Sequence, residues 1–216
     1  MAEKSIFTGS KAYLEKSFLE ELAYKVWTTK GARFKADERL RDKARMSSIS
    51  MSIFSAYLII ASLISVYVGS HASMNFQLIN YFVTALSIIL LVLSQYESNQ
   101  DYKLRAIKFH ECALEISDLY NQLRIFKTLG PPATDEENRA FCSDITKRYE
   151  AILCKYENHL PIDYDMFRVS KVDYFTEFKE KARRIKFKNW WMVYGWYTLL
   201  LIGTPLVFIG LSFVKF

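Results

Sequence analysis

Two long tracts of this chain lack formal charge. From Arg45 to Glu97 there is no aspartate, glutamate, lysine or arginine, and His71 alone could ionise; Trp190–Val214 is uncharged as well. A helix crossing the roughly 30 Å hydrocarbon core of a bilayer needs about 20 mostly apolar residues. The first tract therefore accommodates two crossings and the last tract one. The near-zero mean hydropathy of +0.01 averages these tracts against charged ones and says nothing about either. Also missing is the apolar core of a cleavable signal peptide, because the stretch up to Arg45 is charged throughout. The first span is expected to be retained.

Cysteine is scarce. Cys112, Cys142 and Cys154 are the only three, an odd number for a disulfide framework. All fall in the part assigned to the reducing cytoplasm and read as small buried side chains. Chemical constellations are missing too. His110 with Cys112, or Cys142, Cys154 and His159, fit no zinc-ligand spacing. Asp163, Asp165 and Asp173 share a segment, but neither a Gly-rich phosphate loop nor a nucleophile elbow accompanies them. They read as solvent-facing charges. No enzyme, cofactor or metal site is expected.

What is present is basic charge beside the apolar tracts, within a net charge of +6. Lys30, Arg33, Lys35, Arg39, Arg41, Lys43 and Arg45 precede the first span; Lys103, Arg105 and Lys108 follow the second; Lys179, Lys181, Arg183, Arg184, Lys186 and Lys188 precede the third. Lys and Arg near span ends stay cytoplasmic, and anionic headgroups attract each by about 1 kcal/mol. Arg39, Arg41, Lys43, Arg45, Arg183, Arg184, Lys186 and Lys188 are therefore the expected membrane-surface residues. No aromatic-interleaved basic motif of an RNA-binding fold accompanies them, so nucleic acid is not an expected partner.

Along the chain, Leu14, Phe18, Leu22 and Val26 recur at i, i+4, which predicts an N-terminal amphipathic helix. Thr28, Thr29 and Gly31 predict a bend, after which a basic helix from about Arg33 runs into the membrane. Spans are expected over about 47–70 and 76–96. The six residues between them (Ser70-His71-Ala72-Ser73-Met74-Asn75) allow only a tight turn, so the two helices must be antiparallel neighbours. A helix from about Glu97 to Lys127 carries Tyr102, Ala106, Phe109, Ala113, Ile116, Tyr120 and Leu123 at alternating 4 and 3 spacing, a coiled-coil or bundle seam. Leu129-Gly130-Pro131-Pro132 ends it. Thr134 with Glu137 predicts a capping box for a helix buried through Phe141, Ile145, Tyr149, Ile152 and Tyr156. After Asn158-His159-Leu160-Pro161 a last helix from about Asp163 is expected to enter the membrane. Trp190, Trp191, Tyr194, Trp196 and Tyr197 there fit a headgroup boundary, and Pro205 predicts a kink.

The expected fold is thus an all-α integral membrane protein, an antiparallel transmembrane hairpin with a third C-terminal span and a cytoplasmic helical bundle or coiled-coil body. Its expected divisions are 1–45 (amphipathic cytoplasmic helices), 46–96 (hairpin), 97–189 (helical body) and 190–216 (third span).

The second span holds a row of polar residues: Gln77, Asn80, Thr84, Ser87 and Ser94, interrupted only by Leu91. At about 100° per residue they share an arc roughly 100° wide, and such groups in hydrocarbon need hydrogen-bond partners or water. The first span has a weaker row in Ser48, Ser52, Ser55 and Ser62. One reading packs the two rows together as a small-residue interface. The other turns the second-span arc toward the axis of a homo-oligomer as an uncharged pore lining, poorly selective between ions.

The run Glu21-Leu22-Ala23-Tyr24-Lys25-Val26-Trp27-Thr28-Thr29-Lys30-Gly31-Ala32-Arg33-Phe34 into Arg39-Leu40, then Ser48-Ile49-Ser50 and Ser55-Ala56-Tyr57-Leu58-Ile59-Ile60, resembles the SLATT family, the SMODS and SLOG-associating two-transmembrane effector domains of bacteria. Tyr156-Glu157-Asn158-His159 and Asp163-Tyr164 resemble it as well, so that the likeness covers residues 10–188. The resemblance implies a membrane effector of antiviral, abortive-infection type defence at the bacterial inner membrane. It also implies, as candidate partners beside the lipid bilayer, a nucleotide second messenger or a co-encoded sensor protein. A non-conducting anchor or signalling scaffold is the alternative. A small secondary transporter is disfavoured, since three spans leave little room for paired repeats.

Overall fold

The structure, a computed structural model, describes residues 17–68, 76–130 and 133–213. Among these residues every regular element is a helix: α1 (Phe18–Val68), α2 (Phe76–Ser98), α3 (Tyr102–Thr128), α4 (Asp135–Lys155), α5 (Pro161–Ser170), α6 (Ala182–Trp190) and α7 (Trp196–Phe213), with a 3-10 turn at Thr176–Phe178 and a π turn at Trp191–Gly195. Two compact units result. A body unit gathers the chain up to Leu40 with Lys103–Asn189, and an apolar unit gathers Arg41–Tyr102 with Trp190–Phe216. The inter-span turn, together with Tyr13 and Leu14, lies outside the described residues.

α1 is one continuous helix of 51 residues, so the bend expected at Thr28–Gly31 does not occur. Its inward positions (Leu22, Val26, Arg33, Ala36, Leu40, Ala44, Ser47, Phe54, Leu58 and Ser65) are all buried, and their spacing near 3.6 keeps one stripe inward throughout. The residues that argued for a bend are used for packing instead. Thr28 donates its hydroxyl to the carbonyl of Lys25 at 3.1 Å, and the Thr29 hydroxyl shares a 2.7 Å hydrogen bond with that of Tyr149. Gly31 lies under Phe167: a Cβ there would sit 2.1 Å from the ring. The glycine permits close approach of α1 and α5.

In the body unit α1, α3 and α4 share a core of Leu22, Val26, Cys112, Ile116, Leu119, Leu123, Cys142, Ile145 and Tyr149. Of the seam residues on α3, Ala106, Phe109, Ala113, Ile116 and Leu123 are buried in this unit, and Tyr120 is half-buried. The seam thus faces the chain's own helices. The helix expected from Glu97 is two helices: α2 stops at Ser98, and Asp101 adopts φ 49° before α3 begins at Tyr102. Aspartate tolerates that left-handed conformation. The α4 capping box forms as the sequence spells it, with Thr134 N–H donating to Glu137 Oε2 at 2.8 Å and Glu137 N–H to Thr134 Oγ1 at 3.3 Å.

The single last helix is also broken. α5 ends at Ser170, and the chain turns through hydrogen bonds from Tyr174 N–H and Phe175 N–H to Lys171 O before α6 starts at Ala182. The turn drives Phe175 into full burial, stacked on Trp27 with centroids 5.9 Å apart and planes 7° apart. Phe167 meets Trp27 edge-on at 5.0 Å. Burying an aromatic ring of this size outweighs the hydrogen bonds of one helical turn.

In the apolar unit, α1 and α2 are neighbours joined by a hydrogen bond from Ser65 Oγ to Asn80 Oδ1. Tyr197 donates its hydroxyl to Glu97 Oε2 at 2.7 Å and Tyr194 to Asp42 Oδ2 at 3.0 Å, which ties the last apolar segment to both. The π turn brings Gly195 against the Trp191 ring, 2.8 Å from where a Cβ would be, and α7 remains helical through Pro205.

Replacing Gly31 by alanine is expected to destabilise the body unit by about 1–3 kcal/mol, as overpacking does, because Trp27 and Phe175 hold the Phe167 ring in place. Thermal unfolding of the detergent-solubilised full chain reads this. Partial recovery in Gly31→Ala/Phe167→Leu and none in Gly31→Ala/Phe126→Leu would tie the loss to that contact.

Candidate functional site: polar faces of the apolar helices and the ionic network of the body

Two helices among the described residues are long and apolar enough to cross a membrane, one within Phe18–Tyr67 and one starting at Asn80. None of the second apolar window is buried inside the chain. A soluble protein buries such a helix. Here the outward residues are aliphatic and aromatic: Ile59, Ile60, Leu63, Ile64, Val66 and Tyr67 on α1, and Tyr81, Ile88, Ile89, Leu91, Val92 and Tyr96 on α2. This surface is greasy enough to require lipid.

Within it lies the polar row of α2. Asn80, Thr84, Ser87 and Ser94 are all exposed. Asn80 reaches Ser65 on α1, whereas Thr84, Ser87 and Ser94 donate their hydroxyls to the carbonyls of Asn80, Val83 and Leu91 in their own helix, at 2.9, 2.7 and 2.9 Å. Gln77 is in the first turn of α2, and its side chain lies outside the described residues. The row therefore does not pack on α1 as a whole. The α1 serines differ from expectation as well: Ser48, Ser52 and Ser62 are exposed and Ser55 half-buried, while Ser47, Ser50 and Ser65 are buried. Choosing serines by their mutual spacing selected a face beside the inward stripe that Phe54 and Leu58 define.

The body unit has a buried ionic network that the sequence hides. Arg39 is buried and holds Asp163 with two hydrogen bonds, Nε to Oδ1 at 2.7 Å and Nη2 to Oδ2 at 3.0 Å. Asp163 also accepts the Leu160 N–H at 2.9 Å. Arg39 is thus no headgroup contact, and Asp163 no solvent-facing charge; Pro161 at the start of α5 fixes the carboxylate against α1. Asp165 pairs with Arg168, and Asp173 is exposed. Arg33 is completely buried, donating Nη2 to Asn158 Oδ1 at 3.2 Å with its guanidinium over the Phe109 ring. Its Nε and Nη1 have no protein partner. His110 Nδ1 lies 3.0 Å from Asp37 Oδ2. Position 33 falls on the inward stripe of α1, and that periodicity was the available signal.

The remaining predicted surface cations differ among themselves. Lys43 lies over the Tyr102 ring, Arg45 is largely exposed, and Arg183, Arg184, Lys186 and Lys188 are all exposed on α6. Cys112 and Cys142 are buried, and burial pushes the Cys112 thiol up to about 11 against the Arg33 charge. Cys154 is exposed, contrary to expectation, on the outer side of α4. Among the described residues no three His, Cys, Asp or Glu side chains are grouped to hold a metal ion.

Burial first, and the Arg33 charge second, push the His159 imidazole below its usual 6.5, with Asp163 opposing. The neutral ring is the folded form, so its contribution is fully present above pH 6.5 and is lost as pH falls toward the lowered folded value. Glu115 and Glu137, whose carboxyls are lowered from 4.5 by hydrogen bonds to Lys155 and Thr134 respectively, act only at more acid pH. The unfolding temperature should therefore fall between pH 7 and 5, and fall less in His159→Gln. Parallel profiles for the two proteins would contradict this account.

With this geometry in place, comparison with known proteins becomes informative. No curated protein and no solved structure matches the chain. The profile of one family does, over residues 15–211, and the match runs from the body helices through α7. Coverage on that scale, joined to two apolar helices and an outward greasy surface, makes the protein a membrane effector domain: the chain belongs to the SMODS and SLOG-associating 2TM effector domain family 5.

Proposed function

We propose that this chain is a non-enzymatic effector of bacterial antiviral defence that assembles in the inner membrane and, once triggered, opens a poorly selective aqueous path that arrests the infected cell. In this reading α7 is a third span, the N-terminus and body are cytoplasmic and the C-terminus is outside. The tracts of positive charge before α1's apolar half, after α2 and before α7 support that orientation. The exposed Arg183, Arg184, Lys186 and Lys188 meet anionic headgroups. The trigger is a soluble nucleotide or a co-encoded sensor protein.

The observation that carries the reading is the exposure of Asn80, Thr84, Ser87 and Ser94 on one face of α2, away from the chain's own packing. Polar side chains facing hydrocarbon are stabilised by polar partners across a helix interface or by water. Identical rows from further copies of the chain supply the first in a closed assembly and the second in an open one. With no fixed charge in the row, an open path discriminates little between ions. The seam on α3 is occupied within the chain, so α2 is assigned the subunit contact.

A second reading, a non-conducting anchor that recruits a cytosolic partner, is favoured by one detail. Thr84, Ser87 and Ser94 already satisfy their hydroxyl donors on their own helix. Dye release from vesicles of mixed neutral and anionic phospholipid containing the purified full chain separates the two. The pore reading predicts release that is largely lost in Asn80→Leu/Thr84→Leu at equal insertion. Equal release from the double variant would remove the lining role, and depolarisation-free growth arrest on induced expression would favour the anchor.

A further inference from the structure

The body unit holds a cavity of about 260 Å³ between α1 and α3, lined by Glu20, Tyr24, Trp27, Tyr120, Lys127 and Tyr174. Four of these six side chains are aromatic. Their arrangement is fixed from behind: Trp27 is stacked on the fully buried Phe175 and braced edge-on by Phe167 at 5.0 Å. Tyr174 stands edge-on to Trp27 at 5.1 Å, and Tyr24 lies 6.4 Å from Tyr174 with the planes 30° apart. Rings held in this way leave a slot bounded by π faces and edges, which suits a flat ligand ring.

The charge around the slot is positive. On α3, Tyr120, Arg124 and Lys127 follow one another at i, i+4 and i+7 and so share a face. On α1, Lys30 comes one turn after Trp27 and places its ammonium 4.2 Å from the centre of the Tyr120 ring. Lys127 pairs with Glu20 at 2.7 Å. Lys30 and Arg124 make no ion pair with a carboxylate among the described residues, yet they lie close enough for the Arg124 charge, after burial, to push the Lys30 ammonium below its ordinary value. Two adjacent cations that repel each other beside an aromatic slot are stabilised by an anion. A flat ring carrying fixed negative charge on a flexible arm is the chemistry of a nucleotide.

We propose that this cavity binds a nucleotide, with the base against Tyr24, Trp27 and Tyr174 and the phosphate held by Lys30, Arg124 and Lys127. The proposal deepens the reading that a soluble signal switches the effector, but the site stands on the geometry of α1, α3 and Tyr174 alone.

The test is isothermal titration of the detergent-solubilised full chain with AMP, GMP, CMP and UMP, and with adenosine and inorganic phosphate as separate halves. At least one nucleotide should bind about tenfold or more tighter than either half, a difference well within reach of calorimetry. Arg124→Ser, at an exposed position, should remove the gain due to phosphate and leave adenosine binding unchanged. Tyr174→Ala should weaken nucleotide and nucleoside together. Absence of binding by all four nucleotides at millimolar concentration overturns the proposal. So does phosphate binding as tightly as the best nucleotide, which would mark an adventitious ion only. Binding by a short single-stranded oligonucleotide alone, with no mononucleotide binding, overturns it too. Vesicle release measured on the same preparations separates the two readings. Binding without release supports the site and counts against the pore, whereas release without binding does the reverse.

Discussion

The aliphatic surface of α1 and α2 constrains everything else. Ile59, Ile60, Leu63, Ile64 and Val66 on one helix, and Ile88, Leu91 and Val92 on the other, stand outward with about half or more of each side chain exposed. Leaving each such side chain in water forfeits about 1.5–3 kcal/mol relative to burial, and the chain has no further element among the described residues that covers them. Lipid supplies the cover. Once it does, the few polar groups on the same helices acquire their importance, because only in hydrocarbon does an exposed asparagine or threonine need a partner.

α1 shows how one helix serves two environments. In the body unit its inward stripe includes Arg33, Asp37 and Arg39; in the apolar unit the same stripe carries Ser47, Ser50 and Ser65 between Phe54 and Leu58. Buried charge is tolerated only where a partner is held in place, as the bidentate Arg39–Asp163 pair is, and removing one member of such a pair destabilises by about 3–5 kcal/mol. Arg33 lacks a carboxylate and leaves two donors without a protein partner. Such a group adds little to stability, and its position among Phe109, Asn158 and Tyr149 places the least satisfied polar atoms of the body beside its core helix. The last apolar segment is tied down differently, through phenol-to-carboxylate bonds from Tyr194 and Tyr197.

Much of the architecture was legible. The uncharged tracts, the α2 boundaries near Phe76 and Tyr96, the Thr134–Glu137 cap and the α4 face through Ile145 and Tyr149 all follow from local chemistry that neighbours in sequence decide. The family was legible as well, through runs of ordinary residues near Trp27 and Tyr57. What escaped were the features decided by partners remote in sequence. Gly31 looked like a helix breaker because Phe167 is far along the chain. Arg39 and Asp163 looked like surface charges because each hides the other. Phe175 broke a helix that local propensity would have continued, and Asp101 divided α2 from α3 with no glycine or proline to announce it. In the polar rows, spacing identified which residues share an arc but not which way the arc faces; Ser65, reaching Asn80, belonged to neither predicted row.

The central claim is that the outward faces of α1 and α2 lie in hydrocarbon. Cysteines placed at Ile60 and Val92 in a Cys154→Ser background, with the chain in sealed vesicles and a membrane-impermeant maleimide supplied on both sides, test it directly. The account predicts no labelling at either position until detergent dissolves the bilayer. Labelling in intact vesicles as fast as at Cys154 in the parent chain would show those faces in water and contradict it.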